Sequence, residues 1–185
     1  RRTDIFKINP QIELKFWPKK GKIQRHSFSV MPISIWRPEL DFENSDYTII
    51  STWEANFQNS SQLRFQMFNR YIKLYDEFDP TRTDNAIPLP ADQNYYYTSF
   101  EVSFRSDQRK KISYRINPSV GQFFNGNKYS LESSLSLRLQ PYFSGSIQMN
   151  YDKIDLPDPY PDASIWLIGP KIDITFTKNM FWSTF

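Results

Sequence analysis

A chain of 185 residues with a net charge of +3 and no cysteine has room for one domain with a core. It excludes a disulfide framework and a thiolate metal site, and its charge is too small to point to nucleic acid. No apolar run approaches the eighteen or so residues of a membrane helix, yet a mean hydropathy of -0.62 leaves room for a membrane barrel, because half of each barrel strand faces a polar lumen.

The chain opens Arg1-Arg2-Thr3-Asp4, without an initiator Met or a signal peptide, which reads as a mature or partial segment. Residues 5–17 set Phe6, Ile8, Ile12, Leu14 and Phe16 against Lys7, Asn9, Gln11, Glu13 and Lys15. Successive side chains of a strand point to opposite faces, so this period of two predicts a strand. Pro18-Lys19-Lys20-Gly21-Lys22 predicts a tight turn. Residues 26–36 form the next strand, in which Met31, Ile33 and Ile35 compete with Phe28 and Val30 for the apolar face. An acidic connection follows at 38–46. Strands at 47–58 and 62–74 pair around Asn59-Ser60-Ser61, with Glu54, Asn56, Arg64 and Gln66 on their polar face.

Residues 76–94, rich in Pro and Asp, are the longest irregular stretch. Alternation resumes at 95–105 and, after Asp107-Gln108-Arg109-Lys110, at 112–120. A connection at 123–127 leads into the clearest hairpin, 128–153. There Leu131, Leu135, Leu137 and then Ile147, Met149 alternate with Glu132, Arg138, Gln148 and Asp152. A Pro/Asp loop at 154–162, a strand at 164–176, a turn at Thr177-Lys178-Asn179 and a partial strand at 180–185 complete the chain. No helical period is sustained.

Hairpin arms of about ten residues exceed the roughly five or six of ordinary strands and match the about 9–11 of a tilted bilayer-crossing strand. Short connections near Lys20, Asn59, Gln108, Pro141 and Lys178 alternate with mostly longer ones. Bacterial outer-membrane barrels sort their turns and loops this way. The pattern therefore predicts an all-β, antiparallel up-and-down transmembrane β-barrel. About nine or ten strands lie in this chain, as part of a larger barrel, and residues 1–185 form one domain or a segment of one. The expected location is the bacterial outer membrane, and the expected partners are the lipid bilayer and other outer-membrane or surface proteins.

The lumen-facing polar residues would be Lys7, Glu13, Lys15, Glu54, Arg64, Glu101, Arg105, Arg115, Glu132, Arg138, Lys171 and Asp173. They line a polar pore or close it by interstrand ion pairs. Basic residues gather at the short-turn end and acidic ones at the long-loop end, which reads as two solvated rims or as an acidic rim meeting a cationic partner or divalent ions. Asp155, Asp158 and Asp162 share one loop and could supply some of the six to eight oxygen ligands of Ca²⁺, or simply form solvated turns. No cofactor is implied.

Catalytic motifs are missing: there is no His-Glu-x-x-His, phosphate loop or dinucleotide fingerprint. His26 is the one histidine. Ser27 beside it would point to the other face of the strand, so the pair is badly placed as base and nucleophile. No catalytic residue is assigned, and a role as anchor or passage is expected ahead of enzymatic activity.

Two stretches carry more than pattern. They are Phe78-Asp79-Pro80-Thr81-Arg82-Thr83 with Pro88-Leu89-Pro90, and Asp155-Leu156-Pro157-Asp158-Pro159-Tyr160 followed by Asp162–Thr177, including Trp166-Leu167-Ile168-Gly169-Pro170. With Ser106-Asp107-Gln108-Arg109-Lys110 they resemble the C-terminal domain of unknown function in Bacteroidota-type outer-membrane proteins. Those proteins carry an N-terminal domain resembling a family 9 carbohydrate-binding module. The resemblance implies a barrel continuing beyond Phe181-Trp182-Ser183-Thr184-Phe185 and a link to glycan through the N-terminal domain. The expected function is thus a membrane anchor or passage for a larger surface protein linked to glycan handling. The alternatives are a membrane-embedded hydrolase and a soluble lipocalin-like carrier.

Overall fold

The computed structural model describes residues 5–83, 86–177 and 180–184. Eleven strands run in chain order: Phe6–Ile8 (β1), Ile12–Phe16 (β2), Ile23–Arg37 (β3), Glu43–Phe57 (β4), Gln62–Leu74 (β5), Gln93–Arg105 (β6), Ile112–Phe123 (β7), Gly126–Leu139 (β8), Phe143–Asp155 (β9), Ala163–Thr177 (β10) and Met180–Thr184 (β11). They form one sheet in which each strand from β3 onward lies antiparallel beside the next. β1 and β2 both pair with β3. They are two pieces of the strand expected at 5–17, which breaks around Pro10 because proline has no N–H to give a ladder.

The expected barrel is not there. β11 pairs only with β10, and neither β1 nor β2 pairs with β11, so the described strands make an open sheet. Alternation determines which face a side chain takes, whereas closure depends on strand number, tilt and stagger together, which alternation does not encode. The transmembrane-barrel fold, the outer-membrane location, the bilayer as partner and the anchor or passage role all required a closed barrel, and the open sheet leaves them without support. The lipocalin-like alternative needs a closed wall that the described strands do not form, and the hydrolase alternative loses its membrane setting. The sorting of loops also weakens. The connection expected at 38–46 shrinks to a 3-10 turn, Pro38–Leu40, and two further residues, while β7 and β8 are joined by Phe124 and Asn125 alone. Of the turn expected at 177–179, Lys178 and Asn179 lie outside the described residues.

The two faces of the sheet differ in chemistry. Register places Phe28, Trp53, Phe65, Val102, Ile116, Leu135, Ile147 and Ile168 on one face, and Ser27, Glu54, Arg64, Ser103, Arg115, Ser134, Gln148 and Gly169 on the other. Among the described residues no second layer covers the apolar face. The chain exposes 12918 Å², where a compact protein of 22.1 kDa exposes about 9,300 Å².

A small core forms where connection 75–92 folds back over one end of the sheet. Phe78 and Leu89 exchange backbone hydrogen bonds of 3.1 and 2.8 Å, and Leu89 is fully buried. Asp79 shapes the loop by accepting from the Thr81 and Thr83 backbone N–H groups at 2.8 and 3.1 Å. Phe124 adopts φ 52°, a left-handed conformation that costs about 1 kcal/mol or more outside glycine. Its ring lies among those of Phe78, Tyr95, Tyr97 and Phe123, with centroids 4.8 to 5.6 Å away. That packing holds the strained turn.

At the opposite end, Asp107 organises the β6–β7 turn. Its carboxylate accepts from the Arg109 backbone N–H at 3.0 Å and from Nε and Nη2 at 2.9 and 3.0 Å. Those Arg109 hydrogen bonds pull the Asp107 carboxyl down to about 2. A carboxyl depressed in the folded state contributes stability above its unfolded pKa and loses it as pH falls through the folded value. Carbonyl NMR should place the Asp107 midpoint near 2, and Arg109→Ala, which removes the guanidinium but keeps the backbone N–H, should raise it part of the way to the ordinary aspartate range. An ordinary midpoint in the unmodified protein would contradict the geometry.

Candidate functional site

The residues expected to line a lumen all belong to the polar face: β1 contributes Lys7, β2 Glu13 and Lys15, and the central strands the others. Without a closed barrel there is no lumen for them to line. They divide into ion-paired and unpaired groups. Glu13 pairs with Lys15 at 2.9 Å, and Lys171 with Asp173 at 3.7 Å. Asp173 also accepts from Ser144 and Ser183 at 3.2 and 2.6 Å. Arg138 donates to the Gln108 carbonyl at 3.1 Å. Arg105 and Arg115 stand opposite one another across β6 and β7.

Glu54 is the hub of the largest cluster. Its Oε2 accepts from Arg64 Nε and Nη2 at 3.0 and 2.8 Å, and its Oε1 from Asn56 at 2.9 Å and Arg25 at 3.3 Å. Burial alone would raise its pKa, but hydrogen bonds from Asn56, Arg64 and Gln62 outweigh it and hold the carboxyl below the usual range. Both Glu54 oxygens are thus satisfied within a structural knot.

Glu101 and Glu132 are different. They sit on β6 and β8, one strand apart, with Ser119 and Asn117 of β7 between them. Neither carboxylate has a hydrogen bond or ion pair among the described residues. Burial, and then the nearby charge of Glu132, raise the Glu101 carboxyl above the usual glutamate value, against the pull of Arg64 and Arg70. Both line a cleft of ≈ 330 Å³ on the polar face, together with Arg70, Tyr97, Lys128 and Asp152.

The other charges of the cleft are already engaged. Arg70 donates to Ser99 Oγ at 2.7 Å and lies over the Phe68 ring at 4.5 Å. Burial lowers its pKa, and burial likewise raises that of Tyr97. Lys128 reaches Asp152 at 3.1 Å and lies over Phe123 at 5.6 Å. The cleft therefore presents two free acceptor carboxylates, fixed cations turned to other partners, and aromatic rings as walls.

Sequence reasoning named Glu101 and Glu132 but missed Arg70, Tyr97, Lys128 and Asp152 as cleft residues. The signal was available, since Arg70 continues the period of two from Arg64 and Gln66. It was weak because Phe68, on the same face, interrupts the polar run.

The acidic loop behaves as solvated turns do. Asp155 pairs with Lys153 at 2.9 Å, and Asp162 accepts from the Leu156 backbone N–H at 2.9 Å. Among the described residues no three His, Cys, Asp or Glu side chains are placed to hold a metal ion, so Asp155, Asp158 and Asp162 are not brought together as a calcium site. His26 stacks on Trp53 on the apolar face, with ring centroids 5.9 Å apart, whereas Ser27 is buried on the polar side opposite Glu54.

No protein-family model, curated protein or solved structure matches this chain. The resemblance to the Bacteroidota-type outer-membrane domain is therefore not supported, and with it go the continuing barrel and the glycan link through an N-terminal domain. The motifs behind it are short, and Trp166-Leu167-Ile168-Gly169-Pro170 is a run that an apolar strand can carry on its own account, with Pro170 inside β10.

Proposed function

We propose that this chain is a non-catalytic binding sheet whose polar face takes a small ligand bearing ammonium or guanidinium groups, held between Glu101 and Glu132. The observation that carries the reading is the pair of unpartnered carboxylates sharing one partly enclosed cleft. Two like charges kept close together raise each other's energy, and a cation placed between them removes that repulsion and supplies the missing donors. The Tyr97 and Phe68 rings can flank the alkyl part of such a ligand. The reading is of binding because the histidine lies on the other face, away from Glu101, whose neighbours in register are Gln66 and Ser119.

Linkage gives the pH dependence. A cation prefers the ionised form of Glu101, so affinity rises as pH climbs through the raised Glu101 pKa and then levels off. Calorimetric titration with 1,4-diaminobutane should show saturable binding, and 1,4-butanediol, its uncharged counterpart, should show none. Each charge-assisted hydrogen bond contributes about 1.5–3 kcal/mol, so Glu101→Gln or Glu132→Gln should weaken binding by at least about tenfold. Equal binding of diamine and diol would overturn the proposal, as would Ca²⁺ binding with no diamine binding.

A further inference from the structure

A second pair of like charges stands on the polar face, beside the cleft of Glu101 and Glu132. Arg105 and Arg115 face each other across β6 and β7, and among the described residues neither makes an ion pair, a hydrogen bond or a ring contact. Arg105 Nε is buried without an acceptor. Arg115 is exposed and lines an adjoining cleft of ≈ 220 Å³ with Asn117, Glu132, Ser134, Gln148 and Asn150. Like charges directly opposite one another on neighbouring strands destabilise a sheet. A carboxylate pair can shed that repulsion by holding a proton, whereas a guanidinium stays charged in a protein. What relieves the arginine pair is an anion.

Register fixes how far this pair lies from the carboxylates. On β8, Ser134 is the partner of Arg115 and Glu132 the partner of Asn117. Glu132 is therefore one same-face step, about 7 Å along the strand, from the level of Arg115. Glu101 lies a further step on, opposite Ser119. Glu132 lines both clefts, so the two join into a trough with carboxylates at one end and guanidiniums at the other. Asn117 and Asn150 flank Glu132 at its own level, neutral amides that leave the two charged ends distinct.

We propose that the ligand of this face is an amino acid with a cationic side chain, its side-chain ammonium or guanidinium held between Glu101 and Glu132 and its carboxylate held by Arg105 and Arg115. The cationic end rests on the binding role proposed above, and the anionic end on the arginine pair. A planar guanidinium meets a carboxylate through two parallel N–H donors, and a carboxylate here supplies the acceptor that Arg105 Nε lacks. The aliphatic stem of ornithine, lysine or arginine is long enough for a separation of about 7 Å between the two levels.

Ornithine is 1,4-diaminobutane with a carboxylate added, so calorimetric titration with the two isolates the anionic end. The unmodified chain should bind ornithine at least about tenfold more tightly than the diamine, the gain of one charge-assisted contact, although ornithine carries the smaller positive charge. Arg105→Gln and Arg115→Gln should each remove most of that advantage. Both variants should bind the diamine as tightly as the parent or more so, which also shows that they fold. Diamine binding with ornithine no tighter would overturn the carboxylate site and leave the cation site standing, whereas binding of neither would overturn both. An ornithine advantage that survives both substitutions would overturn its assignment to the arginine pair.

Discussion

Gly121→Ala is expected to destabilise the protein by at least about 2–3 kcal/mol, at the upper end of overpacking effects. A Cβ built at Gly121 would lie 2.3 Å from Ser99 Cα and 2.5 Å from the Thr98 carbonyl oxygen. Both are backbone atoms of β6, so no side-chain rotation can relieve the clash. The strands themselves must part. Their ladder is already thin, because paired positions run from Ser99–Gly121 to Glu101–Ser119 and resume only at Phe104–Ile116, past Pro118 with its missing N–H. Separating β6 from β7 also moves Glu101 relative to Glu132. Urea denaturation should show the lower midpoint, and calorimetry the loss of diamine binding. A variant within about 0.5 kcal/mol of the parent, the usual range for harmless substitutions, would mean that the two backbones are not so close.

Glu54→Ala is expected to cost about 2–3 kcal/mol, less than the loss of a fully buried ion-pair partner because Arg64 retains some solvent contact. The substitution strands the Arg25 and Arg64 guanidiniums and the Asn56 amide, all of which Glu54 accepts from. The sign of the pH effect follows from the lowered Glu54 pKa. Its contribution is complete above the ordinary glutamate range and is lost as pH falls through the lower folded-state value. Denaturation midpoints should therefore drop in the variant at neutral pH and converge with those of the parent in acid. Glu101 has the opposite sign, since its folded-state pKa is raised. Glu101→Gln should stabilise the protein at neutral pH while weakening diamine binding, a separation that a purely structural carboxylate would not produce.

How far the sequence could be read depends on which physical quantity each residue encodes. Period two placed Leu135, Ile147 and Ile172 on one face and Glu132, Arg138 and Asp173 on the other, and the register has the same arrangement. Strand pairing in chain order was legible for the same reason, because short polar turns leave consecutive strands no other neighbour. Closure was not legible. Alternation is the same in an open sheet and in a barrel, and the length of a strand does not say where its sheet ends.

The stretch expected to be irregular at 76–94 has no strand before Gln93 but carries one bridge, Phe78 to Leu89, since Pro and Asp mark turns without revealing that Leu89 would be buried beneath one. The cleft was half legible. Glu101 and Glu132 stood out as charges in alternating strands, but their lack of partners depends on Lys128 turning to Asp152 and Arg70 to Ser99, which are choices of geometry rather than of pattern.

The proposed cation site is tested most directly by the carboxyl NMR titration of Glu101 with and without 1,4-diaminobutane. Without ligand the Glu101 midpoint should lie above the ordinary glutamate range, and saturating diamine should pull it down. A Glu101 midpoint in the ordinary range that the diamine leaves in place would contradict it.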